Sequence, residues 1–138
     1  MISEYGGLFY LINESLLNLA NVQVTNVKVD YAPALIYNLD SEMHIENCSF
    51  TNFNSTGIEV STSSQPLNIL NSNFTNGGTS IDLIQGGVLK LSKCRQLEAT
   101  GNRFENMIAY QGGGMYFDII ETWGFTIANN TFTNCTAT

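Results

Sequence analysis

Apolar and polar residues alternate in five similar segments of this chain, and the alternation predicts β-strands. Successive side chains of a strand point to opposite faces, so each segment is expected to bury one face. A third apolar position follows the second by five residues in every segment, and it is Phe in four of them. The three apolar columns are Leu17, Met43, Leu67, Leu97 and Phe125; Leu19, Ile45, Ile69, Ala99 and Ile127; and Val24, Phe50, Phe74, Phe104 and Phe132.

Every segment closes on an asparagine two residues after the third apolar position. These residues are Asn26, Asn52, Asn76, Asn106 and Asn134, at intervals of 26, 24, 30 and 28 positions. An inexact period in the twenties, with insertions between constant segments, is typical of a solenoid. We therefore predict a single all-β domain, residues 1–138, of about five parallel coils. Equivalent side chains should stack about 4.8 Å apart, with Val24 and the four phenylalanines of its column buried.

The closing asparagines are predicted to form a hydrogen-bonded ladder at one corner. Asparagine tolerates left-handed backbone, and its amide both donates and accepts hydrogen bonds. Because this column is invariant, it is the one expected to point inward. A second column is expected at another bend, since Gly replaces Asn there; it holds Asn21, Asn47, Asn71, Gly101 and Asn129.

Paired glycines precede further apolar strands, and we interpret them as corners of the coil. The clearest cases are residues 6–12, 86–91 and 113–119, with residues 34–37 and 57–60 in the equivalent place of shorter coils. No helix pattern follows these glycines, which argues against a phosphate-binding loop.

The segments Asn129–Asn134 and Gly101–Asn106 resemble the coil repeats of the right-handed parallel β-helix, the pectin-lyase-like fold. The resemblance runs from about Gly6 to Asn134. Proteins of that fold include polysaccharide lyases and hydrolases, epimerases, phage tailspikes, bacterial surface adhesins and large repeat proteins of protist surfaces. Gly-Gly strands alternating with Phe-x-Asn segments are most similar to the last two groups. The resemblance thus implies a right-handed parallel β-helix of surface or adhesin type.

Composition narrows the possible partners. The net charge is −7 with only five basic residues, which argues against nucleic acid and against anionic membranes. No apolar run is long enough for a membrane helix, so direct membrane insertion is not expected. No capping segment is visible at either end, so we expect further coils of the same chain, or other copies of it, to cover the open edges.

Six Asn-x-Ser/Thr sequons favour a secreted, glycosylated protein. The predicted carriers are Asn73, Asn54 and Asn13, whereas Asn134 should be bare within the ladder. Cys48 is expected to be a small buried residue, and with Cys94 and Cys135 the cysteine count is odd. These features together favour an extracellular or cell-surface location.

No catalytic residue, metal ligand or cofactor is predicted. Resemblance to polysaccharide lyases would imply acidic calcium ligands with a basic residue, and resemblance to hydrolases would imply clustered aspartates. The candidate charges are scattered instead: Asp40 and Glu42 in a turn, then Asp82, Asp118, Glu121, Arg95 and Arg103. His44 is the only histidine, which argues against a zinc site.

Two surfaces are candidates for binding. Tyr10, Tyr37, Tyr116 and Trp123 would line an outer groove and stack on sugars if they are not seam residues. Thr25, Thr51, Thr75 and Thr133 form an outward column interrupted by Glu105, suited to ice or glycans. The leading hypothesis is a non-catalytic structural solenoid module of a filament or surface coat. The alternatives are a carbohydrate-binding or adhesive β-helix and a fragment of a polysaccharide-active enzyme.

Overall fold

The computed structural model describes residues 6–29, 34–79, 85–118 and 124–138, and every regular element in them is a β-strand. These ranges contain sixteen strands and no helix. In chain order they are β1 Gly6–Ile12, β2 Leu16–Ala20, β3 Gln23–Val27, β4 Ala34–Leu39, β5 Glu42–Glu46, β6 Ser49–Phe53, β7 Thr56–Thr62, β8 Leu67–Leu70, β9 Asn73–Gly78, β10 Leu89–Ser92, β11 Gln96–Thr100, β12 Arg103–Ala109, β13 Met115–Asp118, β14 Gly124–Ala128, β15 Thr131–Thr133 and β16 Thr136–Ala137.

The strands stack into three parallel sheets that run the length of the molecule. Sheet A has the order β1-β4-β7-β10-β13, sheet B has β2-β5-β8-β11-β14, and sheet C has β3-β6-β9-β12-β15, with β16 also pairing with β12. Five layers of strands therefore meet at four coil-to-coil interfaces, which makes a parallel β-solenoid of about four turns. The predicted all-β solenoid fold is confirmed.

The bend between sheets B and C is built from the second asparagine column. Its five members, Asn21, Asn47, Asn71, Gly101 and Asn129, all have φ between 48° and 69°. The four asparagine side chains are exposed, while the backbone N–H groups of the first four members continue the hydrogen bonding between coils around the corner. For example, the N–H of Asn47 donates to the carbonyl of Leu70 over 3.1 Å, and that of Asn71 to Thr100 over 2.9 Å.

Four aromatic rings stack through the middle of the core. The ring centroids of Phe50 and Phe74 are 5.0 Å apart, those of Phe74 and Phe104 are 5.6 Å apart, and those of Phe104 and Phe132 are 4.8 Å apart. Val24 continues the column below Phe50 in the register of β3 and β6. The first three rings are at most 1% exposed, as predicted, but the prediction that Phe132 is buried is wrong: it is 47% exposed, because no described strand covers it in the last layer. The stack thus has a closed middle and an open end.

Glycines of the Gly-Gly pairs lie where adjacent coils come closest. Gly86 and Gly112 turn the corner with φ of 72° and 62°. A Cβ on Gly87 would lie 2.1 Å from the carbonyl oxygen of Gly113, so no larger residue fits there. The strands that follow are shorter than the segments expected from the sequence, beginning at Leu89 and Met115. Residue 119 of the third expected segment lies outside the described residues.

Candidate interaction surface

Three polar columns cover the outward side of sheet C, and we call this surface the polar face. The strand register places Thr25 beside Thr51, Thr51 beside Thr75, and Glu105 between Thr75 and Thr133. The columns are Gln23, Ser49, Asn73, Arg103 and Thr131; Thr25, Thr51, Thr75, Glu105 and Thr133; and the closing asparagines Asn26, Asn52, Asn76, Asn106 and Asn134. Arg103 and Glu105 form an ion pair of 2.8 Å within β12.

The closing asparagines form the predicted ladder. In four of the five, Nδ2 donates to Oδ1 of the asparagine one coil earlier: Asn52 to Asn26 at 2.9 Å, Asn76 to Asn52 at 3.0 Å, Asn106 to Asn76 at 2.9 Å and Asn134 to Asn106 at 3.2 Å. The ladder is confirmed, but the expectation that it points inward is wrong, because all five side chains are exposed.

The backbone explains why the ladder lies outside. The inward residues Phe50 and Phe53 are three positions apart, so two outward residues must fit between them. Asn52 accomplishes this with a left-handed φ of 57°, and the other four ladder residues have φ between 51° and 56°. Asparagine adopts this conformation more readily than other non-glycine residues.

The three asparagines with ladder neighbours on both sides, Asn52, Asn76 and Asn106, can each make further hydrogen bonds to solvent or a ligand. An amide has two N–H donors and an oxygen with two lone pairs, and the ladder uses one donor and one lone pair. The rungs therefore present one further donor and one further acceptor each. A shallow groove runs beside them, lined by Asn26, Val27, Lys28, Asn52, Phe53, Asn54 and Asn76.

The predicted glycosylation sites differ in their surroundings. Asn73 is exposed in the first column of the polar face, and Asn13 is exposed at a bend with φ of 54°. Asn54 is also exposed, but its Oδ1 accepts from the N–H of Val29 at 2.7 Å and its Nδ2 donates to the Val29 carbonyl at 3.2 Å. A glycan on Asn54 would compete with this contact. All three sites stay predictions.

A second ladder, inside the solenoid, was not expected from the sequence. We call its residues the inner turn column: Val22, Cys48, Ser72, Asn102 and Asn130. The N–H of Cys48 donates to Ser72 Oγ at 3.1 Å, that of Ser72 to Asn102 Oδ1 at 2.9 Å, and that of Asn102 to Asn130 Oδ1 at 2.9 Å. Each polar side chain thus satisfies the turn of the coil before it.

The two asparagines of the inner turn column make a second bond of the same kind. Nδ2 of Asn102 donates to the carbonyl of Ile69, and Nδ2 of Asn130 to the carbonyl of Ala99, both at 2.7 Å. One amide therefore bridges an N–H and a carbonyl of the preceding coil. Because Val, Cys and Ser fill the other positions, the sequence shows no repeated amide in this column. Cys48 is 1% exposed, as expected of a small buried residue.

Three of the four candidate sugar-stacking aromatics share one outward column of sheet A. The register aligns Tyr10, Tyr37, Glu59, Lys90 and Tyr116, which we call the tyrosine column. The ring centroids of Tyr10 and Tyr37 are 5.6 Å apart, and Lys90 Nζ lies 2.9 Å from Glu59 Oε1. The ion pair is thus flanked along the column by Tyr37 and Tyr116. Trp123 lies outside the described residues.

The other charged and sulfur groups have local roles. Asp40 Oδ1 accepts from the N–H of Ser64 at 2.9 Å and from its hydroxyl at 2.8 Å. These two bonds, with the charge of Arg95, lower the pKa of Asp40 below its usual value against a smaller opposing effect of burial. Cys94 is fully buried, and this burial raises the pKa of its thiol to about 11.

Metal and membrane features are absent from the part of the chain that the structure describes. In those ranges no group of three His, Cys, Asp or Glu residues could hold a metal ion, and no helix is long and apolar enough to cross a membrane. Asp82 and Glu121 lie outside the described residues. No family model, curated protein or solved structure matches this chain.

Proposed function

We propose that this chain is a non-catalytic structural β-solenoid module of an extracellular or cell-surface protein, belonging to a filament or surface coat. The observation that carries the proposal is the repetition of one hydrogen-bonded architecture along the axis. Three sheets, the exposed asparagine ladder and the inner turn column all continue from coil to coil. Such quasi-one-dimensional bonding makes a stiff spacer whose length grows with each coil.

The geometry also supports a pectin-lyase-like, right-handed parallel β-helix as the family of this module. Supporting features are the three-strand coil, the asparagine bend between sheets B and C, and the stacked rings of Phe50, Phe74 and Phe104. Connections between parallel strands are right-handed in nearly all proteins. The style of surface adhesins and protist repeat proteins is favoured by the polar face, which is rich in Thr and Asn.

Secretion from a eukaryotic host tests the structural role. A surface module should be secreted folded, with glycan on Asn73, and should release no product from a panel of pectin, alginate, chitin and β-glucan substrates. An Asn73→Gln variant should be secreted folded without that glycan. Cleavage of any polysaccharide would overturn the non-catalytic proposal in favour of an enzyme fragment. Retention of the chain as unfolded protein would overturn the extracellular location.

A carbohydrate-binding role is the second candidate, and the tyrosine column is the observation that favours it. Pyranose rings stack on tyrosine faces, and the Glu59–Lys90 pair offers an acceptor and donors for hydroxyl groups. A glycan array with the folded chain separates the two roles. Binding that disappears in Tyr37→Ala but persists in Thr126→Ala, on the outward side of sheet B, establishes the second candidate. If no glycan on the array binds, the structural role remains the proposal.

A further inference from the structure

The end of the solenoid at β14 and β15 presents an interaction surface with a specific chemical pattern. Phe132 and Ile127 belong to inward columns, yet they are 47% and 44% exposed there, whereas Phe104 and Ala99 one coil earlier are at most 1% exposed. The last rung of the exposed ladder, Asn134, donates to Asn106, so its own Oδ1 faces away from the preceding coil. We call this surface the end face.

In the described part of the chain, a backbone pair at the end face lacks the asparagine bridge that the equivalent pairs of the two preceding coils have. In the two preceding coils an inner asparagine bridges a turn N–H and a strand carbonyl; Asn130, for example, bridges the N–H of Asn102 and the carbonyl of Ala99. On the end face the equivalent groups are the N–H of Asn130 and the carbonyl of Ile127. The Ala128 carbonyl accepts from the N–H of Gly101 in the preceding coil. Because the carbonyls of successive residues in a parallel strand point to opposite sides, the Ile127 carbonyl points to the open edge. Within the described ranges no side chain bridges this pair.

We propose that the end face binds a β-solenoid coil that carries asparagine in the inner turn column, together with an aromatic residue over Phe132 and an asparagine over Asn134. This inference rests on the proposed structural function and names the partner that such stacking requires. The amide would accept from the N–H of Asn130 and donate to the carbonyl of Ile127, as Asn130 itself does one coil earlier. The coil is defined by this chemistry, whichever chain supplies it.

The first coil of a second copy of this chain does not fit that description. Its residue in the inner turn column is Val22, and its residue over the ring stack is Val24. Valine offers no acceptor, so head-to-tail stacking of identical copies would bury the N–H of Asn130 unpaired, which is costly. The end face therefore selects against simple self-polymerisation and for a coil of the Asn-x-Phe-x-Asn type.

Extension of the chain by one coil tests the proposal. In the extended chains, residues 1–134 are followed by a second copy of the coil formed by residues 53–76, all of which are described. One extended chain carries Ser72→Asn in this copy, and the other carries Ser72→Val. We expect both extended chains to unfold at higher denaturant concentration than the 138-residue chain. Amide exchange at Asn130 should be about tenfold slower with the Asn copy than with the Val copy. Exchange at Asn102, which already donates to Asn130, is the internal control and should be equal in both.

The outcomes separate the two levels of inference. Equal exchange at Asn130 in the two extended chains, with both stabilised, overturns the asparagine-specific coil but leaves stacking intact. No stabilisation by either copy overturns stacking, and with it the structural module itself. Head-to-tail filaments of the 138-residue chain, detected by light scattering and electron microscopy, would also overturn the selection against self-stacking.

Discussion

Phenylalanines that occupy the same column differ in what surrounds them. Phe74 has a ring on each side, with centroids at 5.0 Å and 5.6 Å, and is 0% exposed. Phe132 has a ring on one side only and is 47% exposed. The contribution of a side chain to stability here depends on its position along the axis as well as on its type.

Phe74→Ala should lower the free energy of unfolding by about 3–5 kcal/mol, because it removes a fully buried ring and leaves a cavity between two others. Phe132→Ala should cost much less, roughly 1 kcal/mol, because half of its ring is already in water. Urea denaturation of both variants measures the difference. Equal losses at the two positions would contradict the closed middle and open end of the stack.

Asn76→Asp should destabilise the molecule by about 1 kcal/mol at neutral pH. A carboxylate still accepts from Asn106, but it cannot donate to Asn52 and repels its Oδ1. The loss is modest because the ladder is exposed. Asn71→Asp is the matched control, since Asn71 is also exposed and left-handed, with φ of 48°, and lies outside the ladder. Similar losses for both variants in thermal denaturation would show that the amide ladder contributes nothing.

Asp40 should give the molecule acid sensitivity. Its pKa is lowered in the folded state chiefly by the backbone N–H of Ser64, so its stabilising effect is present above the unfolded value of about 3.9 and is lost as the pH falls through the lower folded value. In Asp40→Asn, the melting temperature should therefore fall less steeply with decreasing pH below about pH 4. Asp118→Asn, at an exposed carboxylate, is the control. An unchanged acid slope in Asp40→Asn would rule out this role.

At the scale of elements, adjacent coils come so close at two positions that only a residue without a side chain fits. Gly87 lies against the Gly113 carbonyl, and Gly77 lies between Phe53 and Met107, whose atoms would be within 2.6 Å of an added Cβ. Glycine at these positions lets large and small residues alternate along one column. The strands themselves are short and depend on this contact between layers.

Gly87→Ala should cost roughly 2–3 kcal/mol, because the added methyl group would separate β10 and β13 at the corner that precedes them. Gly124→Ala is its control: nothing lies within 4 Å of a Cβ there, so the change should be neutral or slightly stabilising. Denaturant midpoints of the two variants test the comparison. A neutral Gly87→Ala would mean that the coils separate there at no cost.

The strands of sheets B and C could be predicted from the sequence because Met43, Ile45 and Phe50 repeat at fixed spacing in each coil. Sheet A was harder, since sequence segments of different length precede its strands, and the Glu59–Lys90 pair depends on a register that spacing alone does not reveal. The exposed ladder was found but assigned to the wrong side, because a repeat pattern does not state where a left-handed residue projects. The inner ladder was missed because only Asn102 and Asn130 in its column carry an amide.

At the scale of the whole molecule, stability should vary along the axis. Inner coils have neighbours on both sides, whereas β1, β2 and β3 at one end and β13, β14 and β15 at the other pair on one side only. In a solenoid, stability is a sum of coil and interface contributions, so the coil with one interface opens most easily. Native-state hydrogen exchange should show the slowest amides in β5, β8 and β11 and the fastest in the end strands β2, β3, β14 and β15. Uniform protection across sheet B would instead indicate opening as a single unit.

The exposed asparagine ladder gives the molecule a dipole moment along the solenoid axis. All four side-chain bonds run from Nδ2 of a later coil to Oδ1 of an earlier one, so the amide dipoles add along the axis. As in an α-helix, aligned dipoles leave partial positive charge at one end and partial negative charge at the other, here at the Asn26 and Asn134 ends. Two such rods lying side by side are therefore lower in energy when antiparallel than when parallel, and added salt reduces the difference.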